Sequence, residues 1–218
     1  GVGSLTLSDS DVLTRVNVVR HVAGARFVGF PKTEAVEVLI RAHTVGTTVA
    51  TCPRVALDRS DLGGVVDAFD LVVDCTGNAA VSAVLSIVCN EHDVPLVVGA
   101  LFRGGDIIRV RRQATTDTVL TKRGTSDRYL TLPKGQDGDP REATALELGC
   151  SAPIHNASPV SVLRAASLTA LVAVDQLTGR RELPDEVIEV IRPLDNDRFR
   201  QAGQLLLPNP AIDVAEFG

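Results

Sequence analysis

Five polar side chains near the start of the chain, Asp9, Asp11, Asn17, Arg20 and Lys32, have types and spacing that could bring two acids, an amide, a guanidinium and an amine to one place. Ser4 to Leu7 is a short, partly apolar run that stops at Asp9, as a buried parallel strand stops at the carboxyl edge of an open α/β sheet. An acid at that edge can accept hydrogen bonds from both hydroxyls of a nucleotide ribose. The plain alternative is an aspartate that only caps a helix or shapes a turn. Arg20 and Lys32 would by default be solvated charges. Their order argues for more: an amide, an arginine three residues on, and a lysine just after Gly29-Phe30-Pro31 would converge donors on the edge where Asp9 points.

The elements that must hold these groups can be read in order. Thr33 to Val45 carries Ala35, Val36, Val38, Leu39, Ile40 and Ala42 at helical spacing, which makes Lys32 a first-turn residue. Thr47 to Cys52 is a β-branched strand ended by Pro53, and Asp58 to Ala68 a short helix. Phe69 to Cys75 reads as a buried strand closed by Thr76-Gly77-Asn78, Ala79 to Asn90 as an apolar helix, and Val94 to Ala100 as the next strand. This alternation is that of a doubly wound sheet, whose ligand crevice lies at the carboxyl ends of its strands. Beyond it, Ile107 to Arg111 alternates like an edge strand. Gln113 to Glu142 is polar, and Lys134 to Pro140 reads as a mobile loop. Ser158 caps and Pro159 opens a helix to about Leu177. Val187 to Ile191 and Gln204 to Leu207 read as closing strands.

With 218 residues the chain can bury one substantial core. Aromatics make up only 3% of it, while Val, Leu and Ala are abundant, which suits helices on a sheet. A net charge of −5 and the lack of a basic stripe with interleaved aromatics argue against a nucleic-acid surface. The run near Val160 to Leu177 is broken by Arg164, Ser167 and Asp175, so it reads as core, and no membrane span is expected. Cys52, Cys75, Cys89 and Cys150 are widely spaced with no Cys-x-x-Cys, which fits a reducing cytoplasm and gives no disulfide framework or zinc site.

The order Asp9-x-Asp11, Asn17-x-x-Arg20, then Gly29-x-x-Lys32 resembles the adenylation signature of the ubiquitin-activating superfamily. That group includes the ThiF, MoeB and HesA adenylyltransferases of thiamine and molybdopterin biosynthesis. The resemblance is good from Gly1 to about Leu101 and looser after it. It implies a Rossmann-like, doubly wound, mostly parallel α/β sheet that here lacks its first strand and glycine loop, since no Gly-x-Gly-x-x-Gly turn precedes Ser4. The expected organisation is a nucleotide-binding core over 1–112, a polar crossover-type loop over 113–145 and a carboxy-terminal helix and strands over 146–218 completing the same domain. It further implies ATP as cosubstrate, with Asp9 on the ribose, Arg20 and Lys32 on the phosphates and Asn17 orienting the loop that bears them.

Family members carry a magnesium-binding acid where this chain has Gly77. Either Asp74 or Asp11 supplies that carboxylate, the phosphates and water hold the metal, or the site is weakened. The Arg20-His21 ending, where the biosynthetic enzymes have Arg-Gln, resembles instead the activating part of bacterial proteins that fuse a ubiquitin-conjugating-like domain to an activating domain. Gly149-Cys150-Ser-Ala-Pro points the same way. In such proteins an acyl adenylate passes to a cysteine thiolate, which needs an exposed, electropositive setting. Cys150 is the candidate, against a purely structural thiol, and Cys75 and Cys89 are expected to be packed.

The implied function is ATP-dependent adenylation of the carboxy terminus of a small β-grasp, ubiquitin-like partner by a homodimer. A nicotinamide-dependent dehydrogenase is the alternative enzyme, although it leaves Asn17, Arg20 and Lys32 without a task. A non-catalytic scaffold with the same fold is the alternative that Gly77 favours.

Overall fold

Two short strands, β1 (Ser4–Ser8) and β2 (Thr48–Cys52), pair in parallel with Leu5 opposite Val49, and α1 (Lys32–His43) connects them. The computed structural model describes residues 2–52, 59–132 and 157–208. They fall into two compact units, one from 2–52 and the other from 59–132 with 157–208. The division lies inside 1–112, the span expected to form one core, because among the described residues β1 and β2 pair only with each other. A two-stranded sheet with one helix on it has little to bury its residues against. Accordingly β1, expected to be buried, has only Leu7 less than exposed. α1 begins directly after Pro31, whose missing N–H costs nothing at a helix start. It ends with Arg41 and His43 in the last turn, where cations suit the helix dipole.

The second unit has α2 (Arg59–Val66), β3 (Val72–Asp74), α3 (Ala79–Glu91), β4 (Leu96–Phe102), β5 (Ile107–Gln113), α4 (Pro159–Leu177), β6 (Glu186–Val190) and β7 (Leu205–Leu206). Its sheet has the order β3-β4-β5-β6-β7. β3 and β4 are parallel because α3 returns the chain between them, and Asn78 starts that helix by accepting the Ala80 and Val81 N–H groups. After β4 the chain turns at once through Gly104 (φ 65°) and Gly105 (φ 92°), backbone that favours glycine. A connection so short can only join antiparallel strands, so β5 runs antiparallel to β4, and β6 and β7 also run antiparallel to their neighbours. The α/β class holds, with its parallel pairings confined to the first four strands.

β5, read from its sequence as an edge strand, lies inside the sheet between β4 and β6. Its arginines look solvent-facing in sequence, yet two of them meet carboxylates here. Arg109 Nη2 donates to Glu186 Oε1 at 2.8 Å, and Arg112 Nε donates to Asp117 Oδ2 at 3.0 Å.

Val97, Ile108 and Val110 form the core beneath Ala165 and Val172 of α4. Gly99 lets that helix close on the sheet: a Cβ there would sit 2.2 Å from Thr169 Oγ1. As expected, Ser158 caps α4 by accepting the Ser161 N–H, and Pro159 sits in its first turn. By length and composition alone α4 could cross a membrane, contrary to the reading from its interrupting residues. One face of it lies on β4 and β5, Arg164 pairs with Glu189, and Asp175 accepts the Glu182 and Leu183 N–H groups, while Val160, Leu163, Leu171, Val174 and Leu177 are exposed.

The polar stretch after Gln113 is more built than a solvated crossover, as far as residue 132. A 3-10 turn at Leu120–Thr125 carries Arg123, only 2% exposed, whose guanidinium donates to the Thr118, Asp185 and Arg112 carbonyls and covers the Tyr129 ring at 4.6 Å. Tyr129 in turn donates to Asp185 Oδ2 at 2.6 Å. The loop expected at 134–140 lies outside the described residues.

Removing Arg123 would strip three carbonyls of their donor and take one cation from beside Asp185 and Glu186. Arg123→Ala is expected to lower unfolding free energy by about 3–5 kcal/mol in equilibrium urea denaturation. A change below about 1 kcal/mol, the range of surface pairs, would show that the cluster is not structural.

Candidate functional site

The segment between β1 and α1 folds back on itself. Val12 and Pro31 form an antiparallel bridge, Leu13 N–H donates to the Phe30 carbonyl at 2.8 Å, and Gly29 N–H donates to the Leu13 carbonyl at 2.9 Å. Lys32 N–H completes the ladder on the Asp11 carbonyl at 2.9 Å. Gly29 supplies the turn with φ 94°. Leu13, Ala23, Phe27 and Ala35 pack beneath it, and Phe30 meets Phe27 edge-on. Asp11 and Lys32 therefore become neighbours although 21 positions apart.

Four of the expected groups, Asp9, Asp11, Asn17 and Lys32, are held by this ladder and its turn. Asp9 Oδ1 accepts the Asp11 N–H at 2.8 Å, which fixes the carboxylate and leaves Oδ2 without a partner among the described residues. Lys32 Nζ donates to Asp11 Oδ2 at 2.7 Å, with the two side chains only 14% and 18% exposed. Lys32 is the first residue of α1, where the helix dipole already places partial positive charge. A lysine there works against the helix, and Asp11 offsets it. The same end, with its free N–H groups, is where an anion binds. Asn17, 5% exposed, turns inward and accepts the Thr14 N–H and hydroxyl, so it shapes the turn that carries Arg20 and His21.

A cavity of about 160 Å³ opens among Ser8, Asp9, His21, Lys32 and Thr33, with Leu7 and Val36 as its apolar wall. That is below the roughly 300 Å³ of a whole ligand pocket, so it fits a sugar or a phosphate group. Arg20 is not in its wall; its Nη1 donates to the Val16 carbonyl at 3.4 Å. His21 was visible in sequence only as an unusual neighbour of Arg20. Its Nδ1 accepts the Ala23 N–H at 3.0 Å, so the ring proton sits on Nε2. Burial and then the Lys32 ammonium lower the His21 pKa, with Asp9 opposing them.

In the second unit Asp74 is 2% exposed, and its oxygens accept the Thr76 N–H, the Thr76 hydroxyl and the Ser82 hydroxyl, at 2.9, 2.7 and 2.5 Å. These bonds fasten β3 to α3. They leave Asp74 poorly open to magnesium, Gly77 offers no side chain, and among the described residues no cluster of three metal-binding groups is assembled. Cys89 is buried as expected, and burial pushes its pKa up to about 12. Cys75, expected to be packed, is exposed at the end of β3, where only the strand's inward residue is covered. Although the residue as a whole is exposed, burial of its thiol and then the Asp74 carboxylate raise its pKa, the wrong direction for a nucleophile. Cys150 lies outside the described residues.

Comparison with known proteins gives one family pattern, ThiF, matching residues 1–189. The molybdopterin-synthase adenylyltransferase of Escherichia coli is 33% identical over 185 residues, 82% of this chain and 65% of that protein. The SAMP-activating enzyme E1 of Haloferax volcanii is 34% identical over 104 residues, 47% of this chain and 38% of that protein. The chain thus spans less than two thirds of the length of either relative. Among solved structures, E. coli MccB with MccA-N7isoASN shares the fold at a TM-score of 0.66 and 17% identity, over 95% of this chain and 58% of that one.

The His21 geometry predicts an acid-side loss of stability. Above its ordinary value of 6.5 the imidazole is neutral folded or unfolded and contributes nothing. As pH falls below 6.5 the unfolded chain takes a proton that the folded one resists, so stability drops until the lowered folded value is passed. Urea midpoints taken between about pH 7.5 and 5.5 should fall more steeply for the wild type than for His21→Gln. Parallel profiles would contradict the assignment.

Proposed function

The chain belongs to the ThiF family, whose pattern runs through residues 1–189, and on that premise we propose that the intact protein uses ATP to adenylate the terminal carboxylate of a small ubiquitin-like protein. The observation that carries this reading is the wall shared by Asp9, His21 and Lys32 in one small cavity at the start of α1. Asp9 Oδ2 accepts the ribose hydroxyls, while Lys32 and the first N–H groups of α1 face the phosphates. A carboxylate oxygen of the partner attacks the α-phosphorus, the bond to the β-phosphate oxygen breaks, and pyrophosphate leaves with the charge. Such a reaction needs positioning and cationic stabilisation more than covalent help from the protein.

Asp74 is committed to its own turn and position 77 is glycine, so in this chain the neutralising charge rests on Lys32, on Arg20 carried by the adjoining turn, and on the α1 terminus. The relative from Haloferax volcanii is named for activating SAMP, which supports a small protein as substrate. Transfer to a thioester would fall to Cys150, the cysteine that the family resemblance implies; burial works against the Cys75 and Cys89 thiols. A docking platform without catalysis is the second reading, favoured by Gly77 and by the engaged oxygens of Asp74.

Exchange of labelled pyrophosphate into ATP by the intact protein, with its candidate ubiquitin-like partner present, separates these readings. Exchange is expected, and Asp9→Ala should reduce it by about a hundredfold. A protein that binds ATP and partner without exchange would be the platform.

A further inference from the structure

The register of the second unit's sheet sets four side chains in a row across one face: Asp74 is opposite Val98, Val98 opposite Arg111, and Arg111 opposite Glu186. Residues directly opposite one another project to the same side of a sheet. Arg111 therefore stands between two carboxylates whose hydrogen bonds, among the described residues, go to other groups. Glu186 Oε1 holds Arg109 Nη2 at 2.8 Å, while its Oε2 makes no hydrogen bond among the described residues and lies 3.5 Å from Arg123 Nη1. Asp74 spends its oxygens on Thr76 and Ser82.

Among the described residues Arg111 makes no hydrogen bond or ion pair at any nitrogen, and its Nε is fully shielded. Arg109 has the same shielded Nε, but its Nη2 is paired. Burial first, then Arg109 and also Arg123, push the Arg111 pKa down to about 10, with Glu186 and Asp74 opposing. The guanidinium is still charged at neutral pH, and among the described residues no direct hydrogen bond or ion pair meets it. The side chain is only part-buried, so a ligand can reach it.

A part-buried guanidinium without an acceptor destabilises a fold. Its planar fork matches a carboxylate or a phosphate with two parallel bonds. We propose that Arg111 is the receptor for an oxyanion, of carboxylate or phosphate type, on this face of the sheet. The adenylation reading bears only on which oxyanion that is, the end of the partner's tail or pyrophosphate; the receptor follows from the sheet alone.

Calorimetric titration of the intact protein tests this with two probes: pyrophosphate, and a short peptide ending in diglycine with its terminal carboxylate free or amidated. At least one probe should bind the wild type, and Arg111→Gln should weaken that binding tenfold or more. Loss on amidation assigns the carboxylate; Arg111-dependent pyrophosphate binding assigns the phosphate. Without ligand, Arg111→Gln should melt higher, by about 2 °C or more, because an unmatched charge is gone. The proposal is overturned if neither probe binds the wild type, if folded Arg111→Gln binds both as the wild type does, or if the variant melts lower than the wild type. Should pyrophosphate exchange be absent while Arg111-dependent binding persists, the adenylation reading falls and the receptor stands. Exchange with binding indifferent to Arg111 gives the reverse.

Discussion

The Asp11–Lys32 pair is the interaction on which the candidate site depends. A lysine at the first position of a helix meets the positive end of the dipole, and without a partner that position would be unfavourable. Asp11 supplies the partner at 2.7 Å while its own carbonyl accepts the Lys32 N–H. The main chain and side chain of one aspartate thus tie the end of β1 to the start of α1. What lies between, residues 12 to 31, is closed over Leu13, Ala23 and Phe27 and has no freedom to carry His21 elsewhere. The local arrangement leaves Asp9 Oδ2 and the α1 terminus available to a ligand.

The second unit solves a different problem. A sheet interior with arginines on β5 and acids on β6 must match charges in a setting where each unmatched one is costly. Arg109 and Glu186 pair directly, and Arg112 is shared by Asp117 and Asp175. Arg123 enters from the 3-10 turn to satisfy backbone carbonyls as well as acids. Arg111 departs from this pattern in having no hydrogen bond or ion pair at any nitrogen among the described residues. Natural proteins keep such local costs mainly where a ligand relieves them.

Much of this was legible from residue order. The start of α1 at Lys32, the capping of α4 by Ser158 and Pro159, and the strand–helix alternation from Val72 to Phe102 follow from apolar spacing and from proline and serine placement. Those signals are local, which is why they survive without knowledge of the fold. The position of β5 inside the sheet was not legible, because arginines alternating with valine and isoleucine look the same whether they face water or buried carboxylates about eighty residues away in sequence. Asp74 looked available for a metal because its bonds to Thr76 and Ser82 depend on how β3 turns into α3. His21 became meaningful only when the fold-back brought Lys32 and Asp9 beside it.

The central claim is that the fold-back gathers Lys32 with Asp9 into a place for a nucleotide. Calorimetric titration of ATP into the intact protein and into Lys32→Met addresses it most directly, since loss of a charge-assisted phosphate contact should weaken binding by about tenfold or more. Unchanged affinity in a variant with intact secondary structure would contradict the account and leave the cavity at the start of α1 without its assigned role.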